Sequence, residues 1–549
     1  MKIMLVAVNA KYIHSNLAIY SLYSYVREYQ KDIILGEYTI NQRNDEILKA
    51  IYRERPDILG FSCYIWNVSQ ILEIADAIHK VLPQTKVWLG GPEVSYDATK
   101  VMEDNDFITG IMRGEGEQTF AELTKHYLEK TNDISAIKGI TWRSEENKVI
   151  ENEARARIEL DTIPFVHEKL PANRIVYYES SRGCPFSCSY CLSSVDKQLR
   201  FRDTERVKRE LQYFLDKRVP QVKFVDRTFN CKAEHALEIW TYLKEHDNGI
   251  TNFHFEIAAD LLSDGEVTLL NSLRAGQVQL EIGVQSTNPR TLKAINRVMN
   301  FDKVAKRVGE VARKKNIHQH LDLIAGLPYE DLNSFQASFN AVYDLEPQQL
   351  QLGFLKVLKG SKMADEAATY ECECQIQAPY EVLQTKWLSF ADVLVLKQVE
   401  EMVEVYYNKA QFEKTIRQAT KLFSTPFEFY QKLGAFYEVK QYDKKAHSRI
   451  RRYDILLEFL SGIKEIDLAY YKELMVFDLY AREKLKTRPT WASEAIKDKR
   501  QRDKDVHLER FHYAVDGEGE VLCEPMTILF NYQKRDVLTN NATWQREVE

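Results

Sequence analysis

Residues 180–194 read SSRGCPFSCSYCLSS and place three cysteines, Cys184, Cys188 and Cys191, in a C-x3-C-x2-C spacing. Eight cysteines in 549 residues are far too few for a disulfide scaffold. Three of them in one cluster fit a metal centre in a reducing compartment. A structural zinc ion needs four soft ligands in a closed tetrahedron, and neither a fourth cysteine nor a histidine stands nearby in the sequence. Three thiolates on a four-iron cube leave one iron open to a substrate or cofactor, and Gly183 and Pro185 shape a tight loop around it. Cys63, Cys231, Cys372, Cys374 and Cys523 read as small hydrophobes.

The loop must be carried by a scaffold, and the strand and helix patterns supply one. Residues 1–137 alternate buried-strand runs (KIMLVAV, DILGFSCYIW, KVWLGG, FITGIM) with helical spacing (AIYSLYSYV, VSQILEIADAIHKVL, EQTFAELTKHYL), which predicts a doubly wound, Rossmann-like α/β domain. Ligands of such sheets bind beyond the carboxyl ends of the strands, here NAKYIHSN, SCYIWN, GGPEVS and RGEGEQ. Residues 138–174 read as an exposed hairpin followed by a linker containing Pro164 and Pro171. Residues 175–365 repeat strand then helix six times, from RIVYYES to LQLGFLK, as a partial (β/α)6 TIM barrel would. Chemistry in βα barrels sits on the loops after the strands, and the cysteines follow the first strand directly. Residues 366–549 are mostly helical, with a β-like ending whose DGEG reads as a hairpin turn.

The cysteine spacing after a first barrel strand resembles the radical S-adenosylmethionine (SAM) superfamily. That resemblance implies a 4Fe-4S cluster held by Cys184, Cys188 and Cys191, whose open iron binds SAM and whose electron generates a 5′-deoxyadenosyl radical. It also implies further contacts. Tyr190 takes the aromatic position against adenine, Asp226 in FVDRTFN faces the methionyl part, Glu256 ends the third strand, and Gln285 and Arg297 resemble ribose and carboxylate contacts. Asp226 and Glu256 can also be read as helix caps, and Arg297 as a surface cation.

An α/β domain ahead of such a barrel resembles the cobalamin-binding domain of cobalamin-dependent radical SAM enzymes, through FSCYIWN, VWLGGPEVS and RGEGEQTF. The resemblance implies cobalamin, carried as methylcobalamin, against Ser62, Gly90, Gly91 and Glu115. The histidine motif D-x-H-x-x-G is missing from these residues. Cobalt is therefore expected without a histidine beneath it, with Tyr64 or Trp66 covering the lower face. A nucleotide-binding or scaffolding domain is the alternative.

Three readings of function follow. The first is methyl transfer to an unactivated carbon, with a tRNA nucleoside as one candidate substrate and flavodoxin or ferredoxin as reductant. The second is a cobalamin-assisted radical rearrangement or cyclisation, and the third a non-catalytic corrinoid- or RNA-binding module. KKAHSRIRR at 444–452 holds five Lys or Arg in nine positions, with aromatics nearby in FYQKLGAFYEVKQYD. Such a run is a solvated face or an RNA contact. The net charge of −6 argues against a protein-wide nucleic-acid sheath. No stretch approaches the roughly 18–20 apolar residues of a membrane span, and MKIMLVAVNA is too short and wrongly flanked for a signal peptide, so a cytoplasmic protein without a membrane partner is expected.

Overall fold

The apolar run near the start becomes β1 (Ile3–Asn9), buried along its whole length. Its alternate side chains serve two different cores. Met4, Val6 and Val8 pack with Ile71, Ile74 and Ile78 of the helix Val68–Val81. Ile3, Leu5 and Ala7 pack with Ile19, Phe120 and Leu123 from the helices Leu17–Tyr25 and Glu117–Glu129. A strand covered on both faces needs no polar alternation, which is why the sequence reads as continuous.

β2 (Ile33–Thr39), β3 (Ile58–Ser62), β4 (Lys86–Gly90) and β5 (Gly110–Met112) complete a parallel array in the order β2-β1-β3-β4-β5. β2 has no counterpart among the expected strands. It lies at the sheet edge, and its mixed burial blurs the apolar run. The chain order reverses at β1, creating a switch point between β1 and β3 where such sheets bind ligands. β6 (Ile140–Arg143) and β7 (Val149–Glu151) add to β5 as antiparallel strands. The expected exposed hairpin is therefore an extension of the first sheet, with Ile140 and Thr141 fully buried.

The computed structural model describes residues 1–131, 133–168, 170, 173–516 and 519–547. Pro171 of the expected linker, and Gly517 and Glu518 of the expected DGEG turn, lie outside the described residues. The chain forms two compact units, 1–269 with 295–298 and 355–383, and 270–294 with 299–354 and 384–549. These units do not follow the expected borders at 137, 174 and 365, because the β6–β7 hairpin hydrogen-bonds to the first sheet and because the six strand–helix repeats divide three and three.

In the first unit, β8 (Val176–Tyr178) leads into β9 (Ser181–Arg182), which pairs antiparallel with β10 (Arg200–Phe201). β11 (Gln221–Phe224) lies parallel between β8 and β12 (Asn252–Ile257). In the second unit, β13 (Val278–Gln285), β14 (His318–Ala325) and β15 (Gln349–Phe354) form a parallel triplet. All six expected strands are present. A short hairpin of β16 (Glu373–Cys374) and β17 (Val382–Gln384) follows. The remaining residues are helical up to Arg482 and end in an antiparallel sheet of β18 (Val506–Tyr513), β19 (Val521–Arg535) and β20 (Ala542–Glu547). Phe477 and Tyr480 of the last long helix pack on Phe511, Ile528 and Phe530 of this sheet.

Candidate functional site

The three cysteines sit on a loop closed at its neck by the β9–β10 hairpin, in which Arg182 pairs with Arg200 and Ser181 with Phe201. Inside the loop, the Cys184 amide donates to the Asp196 carbonyl at 3.0 Å and the Cys191 amide to the Cys188 carbonyl at 3.2 Å. Gly183 has φ 99°, and a Cβ there would lie 2.6 Å from the Gln198 carbonyl oxygen, so the chain can cross itself at this point only with glycine. Cys184 and Cys188 are buried and Cys191 partly so. Among the described residues, only Glu281, His320 and Asp322 bring three possible ligand atoms within 4.8 Å of one another. Three thiolates as the donor set fit an iron–sulfur cube better than a closed zinc site.

Two of the expected SAM contacts gather beside the thiols. Arg297 Nη1 lies 3.7 Å from Cys188 Sγ and 3.3 Å from the Tyr190 hydroxyl oxygen. Burial pushes the Tyr190 phenol well above its ordinary value, against the opposing pull of the Arg297 charge. Asp226 is different from expectation. It is fully buried, and its carboxylate accepts from the Ser180 amide at 2.9 Å, the Ser180 hydroxyl at 2.6 Å and the Ser181 hydroxyl at 2.6 Å. It therefore anchors the entry to the cysteine loop. His235 Nε2 lies 3.0 Å from the same Ser180 hydroxyl. Gln285 belongs to the second unit. Its backbone is left-handed at φ 71°, and its buried Oε1 has no hydrogen-bond partner. Strain and an orphaned acceptor on one residue mark a place where a ligand completes the bonding.

A cleft of about 940 Å³ opens in the first unit. It is walled by Ser62, Tyr64, Trp66, Gly90, Gly91 and Glu115 from the first sheet's carboxyl ends, and by Tyr177, Arg182, Gly183 and Glu256 from the side of the cysteine loop. The Tyr64 and Trp66 rings stack with centroids 4.5 Å apart and planes 5° apart. Trp66 Nε1 donates to the Val8 carbonyl at 3.2 Å and the Tyr64 amide to Asn67 Oδ1 at 2.7 Å, so the pair is fixed as a flat plate. A flat aromatic wall in a large cleft at the switch point suits a planar macrocycle. Gly91 serves the fold, since at φ 113° its Cβ would meet the Cys63 carbonyl oxygen at 2.4 Å. His14 also lines the cleft, with Nδ1 2.6 Å from the Tyr177 hydroxyl. Burial, aided by Lys11 and Lys223, holds its imidazole below the ordinary value and therefore neutral.

Sequence reading missed the charges between the two walls. Arg182 meets Glu117 at 2.8 Å, Glu179 at 2.8 Å and Glu115 at 3.3 Å. Glu115 also receives Arg200 at 2.6 Å. Burial resists ionisation of Glu115, but the Arg200 hydrogen bonds, the Ile158 amide and the Arg182 charge outweigh it and hold the carboxyl below its usual range. Glu115 thus ties the first sheet to the hairpin beneath the cysteines. The adjacency of Arg182 to Gly183 was the only trace of this in the sequence.

The basic C-terminal segments are engaged in part, and Lys444, Lys445, Lys486, Lys499 and Arg502 are exposed. Arg449 pairs with Glu483, Arg488 with Glu509 at 2.7 Å, and Arg500 with Asp498 at 2.8 Å and Glu547 at 2.6 Å. Of the aromatics in FYQKLGAFYEVKQYD, Phe429, Tyr430 and Tyr437 are buried core residues, while Phe436 and Tyr442 are partly exposed. Among the described residues, no helix is long and apolar enough to cross a membrane.

Comparison with known proteins agrees with this geometry. Residues 3–124 match the family model described as B12 binding domain, residues 178–342 the Radical SAM superfamily, and residues 368–514 a protein of unknown function (DUF4080). The cobalamin-dependent radical SAM methyltransferase TokK of Streptomyces tokunonensis is 25% identical over 312 residues, which cover 53% of this chain and 45% of TokK. The anaerobic magnesium-protoporphyrin IX monomethyl ester cyclase of Rubrivivax gelatinosus is 24% identical over 336 residues, covering 58% of this chain and 60% of the cyclase. The chain thus spans roughly half the length of these curated relatives. The structure of the cobalamin-dependent SAM radical enzyme OxsB with aqua-cobalamin and SAM bound superposes with a TM-score of 0.60 at 16% identity, covering 86% of this chain and 78% of OxsB.

The chain therefore combines a cobalamin-binding domain with a radical SAM domain. It is homologous to the cobalamin-dependent radical SAM methyltransferases.

Proposed function

We propose that this protein transfers a methyl group to an unactivated carbon of its substrate, using a 4Fe-4S cluster, SAM and cobalamin. The observation that carries the reading is the single cleft walled on one side by the Tyr64–Trp66 plate and on the other by Arg182 and Gly183, next to Cys184. When bound, the cluster supplies the electron that cleaves SAM, and cobalamin carries the methyl group.

The chain's own residues hold these groups. Cys184, Cys188 and Cys191 ligate the cube, and Arg297 and Tyr190 flank it. Tyr64, Trp66, Ser62 and Gly90 would hold the corrinoid, and Glu256 lines the same cleft. No D-x-H-x-x-G motif occurs in residues 1–137, so no histidine of that motif would hold the cobalt. Flavodoxin or ferredoxin is the reductant class, and the cytoplasm the compartment, that an oxygen-sensitive cluster suits. Lys444, Lys445, Lys499 and Arg502 are exposed and would be the contacts for an RNA substrate held there.

Cyclisation without methyl transfer is the second reading, favoured by the cyclase relative. Anaerobically purified protein is assayed for iron, sulfide and cobalt, then incubated with methyl-labelled SAM, a reductant and a metabolite or RNA extract. Label in a product that disappears with Cys188→Ala is the expected result. Consumption of SAM with 5′-deoxyadenosine release and no label in any product overturns methyl transfer in favour of the second reading.

A further inference from the structure

The second unit carries a group of ligating side chains that the functions above leave unused. On β13, Val278, Leu280, Ile282 and Val284 are buried, while the alternate residues Gln279, Glu281, Gly283 and Gln285 face the other way and are partly exposed. Register places Glu281 directly beside His320 of β14, and Asp322 is two residues further along, on the same face. Neighbouring strands lie about 4.8 Å apart, so paired side chains on one face are immediate neighbours. One ligand atom from each of Glu281, His320 and Asp322 lies within 4.8 Å of the other two. His320 Nε2 and Asp322 Oδ1 are 2.9 Å apart, with their side chains only 8% and 16% exposed.

We propose that Glu281, His320 and Asp322 bind a divalent cation of the Mn2+, Fe2+ or Zn2+ class. Two arguments support it. Bond lengths of about 2.1 Å put neighbouring ligand atoms of one ion about 3 Å apart, which the His320–Asp322 distance already matches. Glu281 closes the remaining gap by a rotamer change of its flexible side chain. Two carboxylates with one imidazole are the donor set that oxygen- and nitrogen-seeking first-row ions take, and thiophilic ions do not. Gln349 and Gln351 of β15 pair in register with His320 and Asp322. They share the face as amides suited to orienting the ligands from behind. Three protein donors leave positions open for water or for an oxygen donor of a bound molecule.

The site does not depend on the methyl-transfer reading, and its test does not require turnover. The full chain, cluster loaded and oxidised, is titrated anaerobically with Mn2+, and free Mn2+ is followed by its six-line electron paramagnetic resonance signal. Manganese does not favour thiols, so vacant cysteines do not confuse the count. One tight site per chain is expected, weakened at least tenfold in Glu281→Gln and in Asp322→Asn. Both variants keep side-chain size, and their thermal melts check folding; if one fails to fold, the other carries the test. Absence of tight Mn2+ binding, or binding unchanged in a folded variant, overturns the proposal.

Discussion

Arg297 Nη1 stands 3.7 Å from the sulfur of Cys188, and the same nitrogen is 3.3 Å from the Tyr190 hydroxyl oxygen. A permanent positive charge beside a cluster thiolate favours the reduced, more negative state of the cube. Arg297→Gln is expected to keep iron and sulfide at the wild-type ratio while shifting the cluster potential to more negative values, with Arg297→Lys intermediate. Activity falls at least tenfold in Arg297→Gln. Spectroelectrochemical titration reads the shift, and an unchanged potential contradicts the contact.

Gly183→Ala is expected to lose cluster retention before it loses the fold. The added Cβ would lie 2.6 Å from the Gln198 carbonyl oxygen, at a φ that disfavours side chains. Strain of roughly 2–4 kcal/mol falls on the loop and not on either domain core. Iron per chain drops several-fold, while the thermal transition of the first sheet stays near the wild-type temperature.

Asp226→Asn separates anchoring from ligand contact. Burial raises Asp226 to about 6, against the hydrogen bonds from Ser180 and Ser181 that favour its charge. Asparagine replaces one acceptor oxygen with a donor and leaves a serine or the Ser180 amide unpaired, at a cost of about 1–3 kcal/mol. The expected phenotype is faster cluster loss with SAM affinity unchanged in the molecules that keep iron. A large loss of SAM affinity at full iron content instead would return Asp226 to the role the sequence suggested.

Glu330 carries a pH signature. It is 1% exposed, its Oε1 accepts the Ser286 hydroxyl at 2.5 Å, and burial raises it to about 7 from 4.5. A carboxyl raised in the folded state contributes full stability below about 4.5 and loses it as pH rises through about 7. The loss amounts to at most ~3 kcal/mol by pH 8. Urea unfolding is expected to show stability falling between pH 5 and pH 8, with a flatter profile in Glu330→Gln.

Trp66→Ala tests the plate. Removing one member of the 4.5 Å stack forfeits about 0.5–1.5 kcal/mol of ring pairing as well as buried area. Cobalt per chain is expected to fall up to roughly tenfold while iron per chain is unchanged. Equal loss of both metals would point to general unfolding.

The cysteine triad, the doubly wound first sheet and the six strand–helix repeats were legible in the sequence, because each follows from local rules: ligand spacing, and apolar runs that record burial on both faces. β2 was not, since an edge strand buries too little to leave an apolar run. The β6–β7 hairpin was seen but misplaced, because hydrogen bonding to β5 is a long-range choice that alternation does not encode. The aromatics of FYQKLGAFYEVKQYD could be read as base-stacking or as core, and burial divides them: Tyr430 and Tyr437 are core, whereas Phe436 and Tyr442 are partly exposed.

Sequence alone determined the ligand chemistry, since three thiolates at that spacing define a centre wherever the loop lies. Only the tertiary structure decided what surrounds it. Asp226 turned inward to Ser180 and Ser181, Glu115 joined Arg182 and Arg200, and Glu281, 39 residues from His320 by their numbering, became its neighbour in register. Residue type sets what a side chain can bind, but which partner satisfies it depends on strand pairing and burial, and those are properties of the folded chain as a whole.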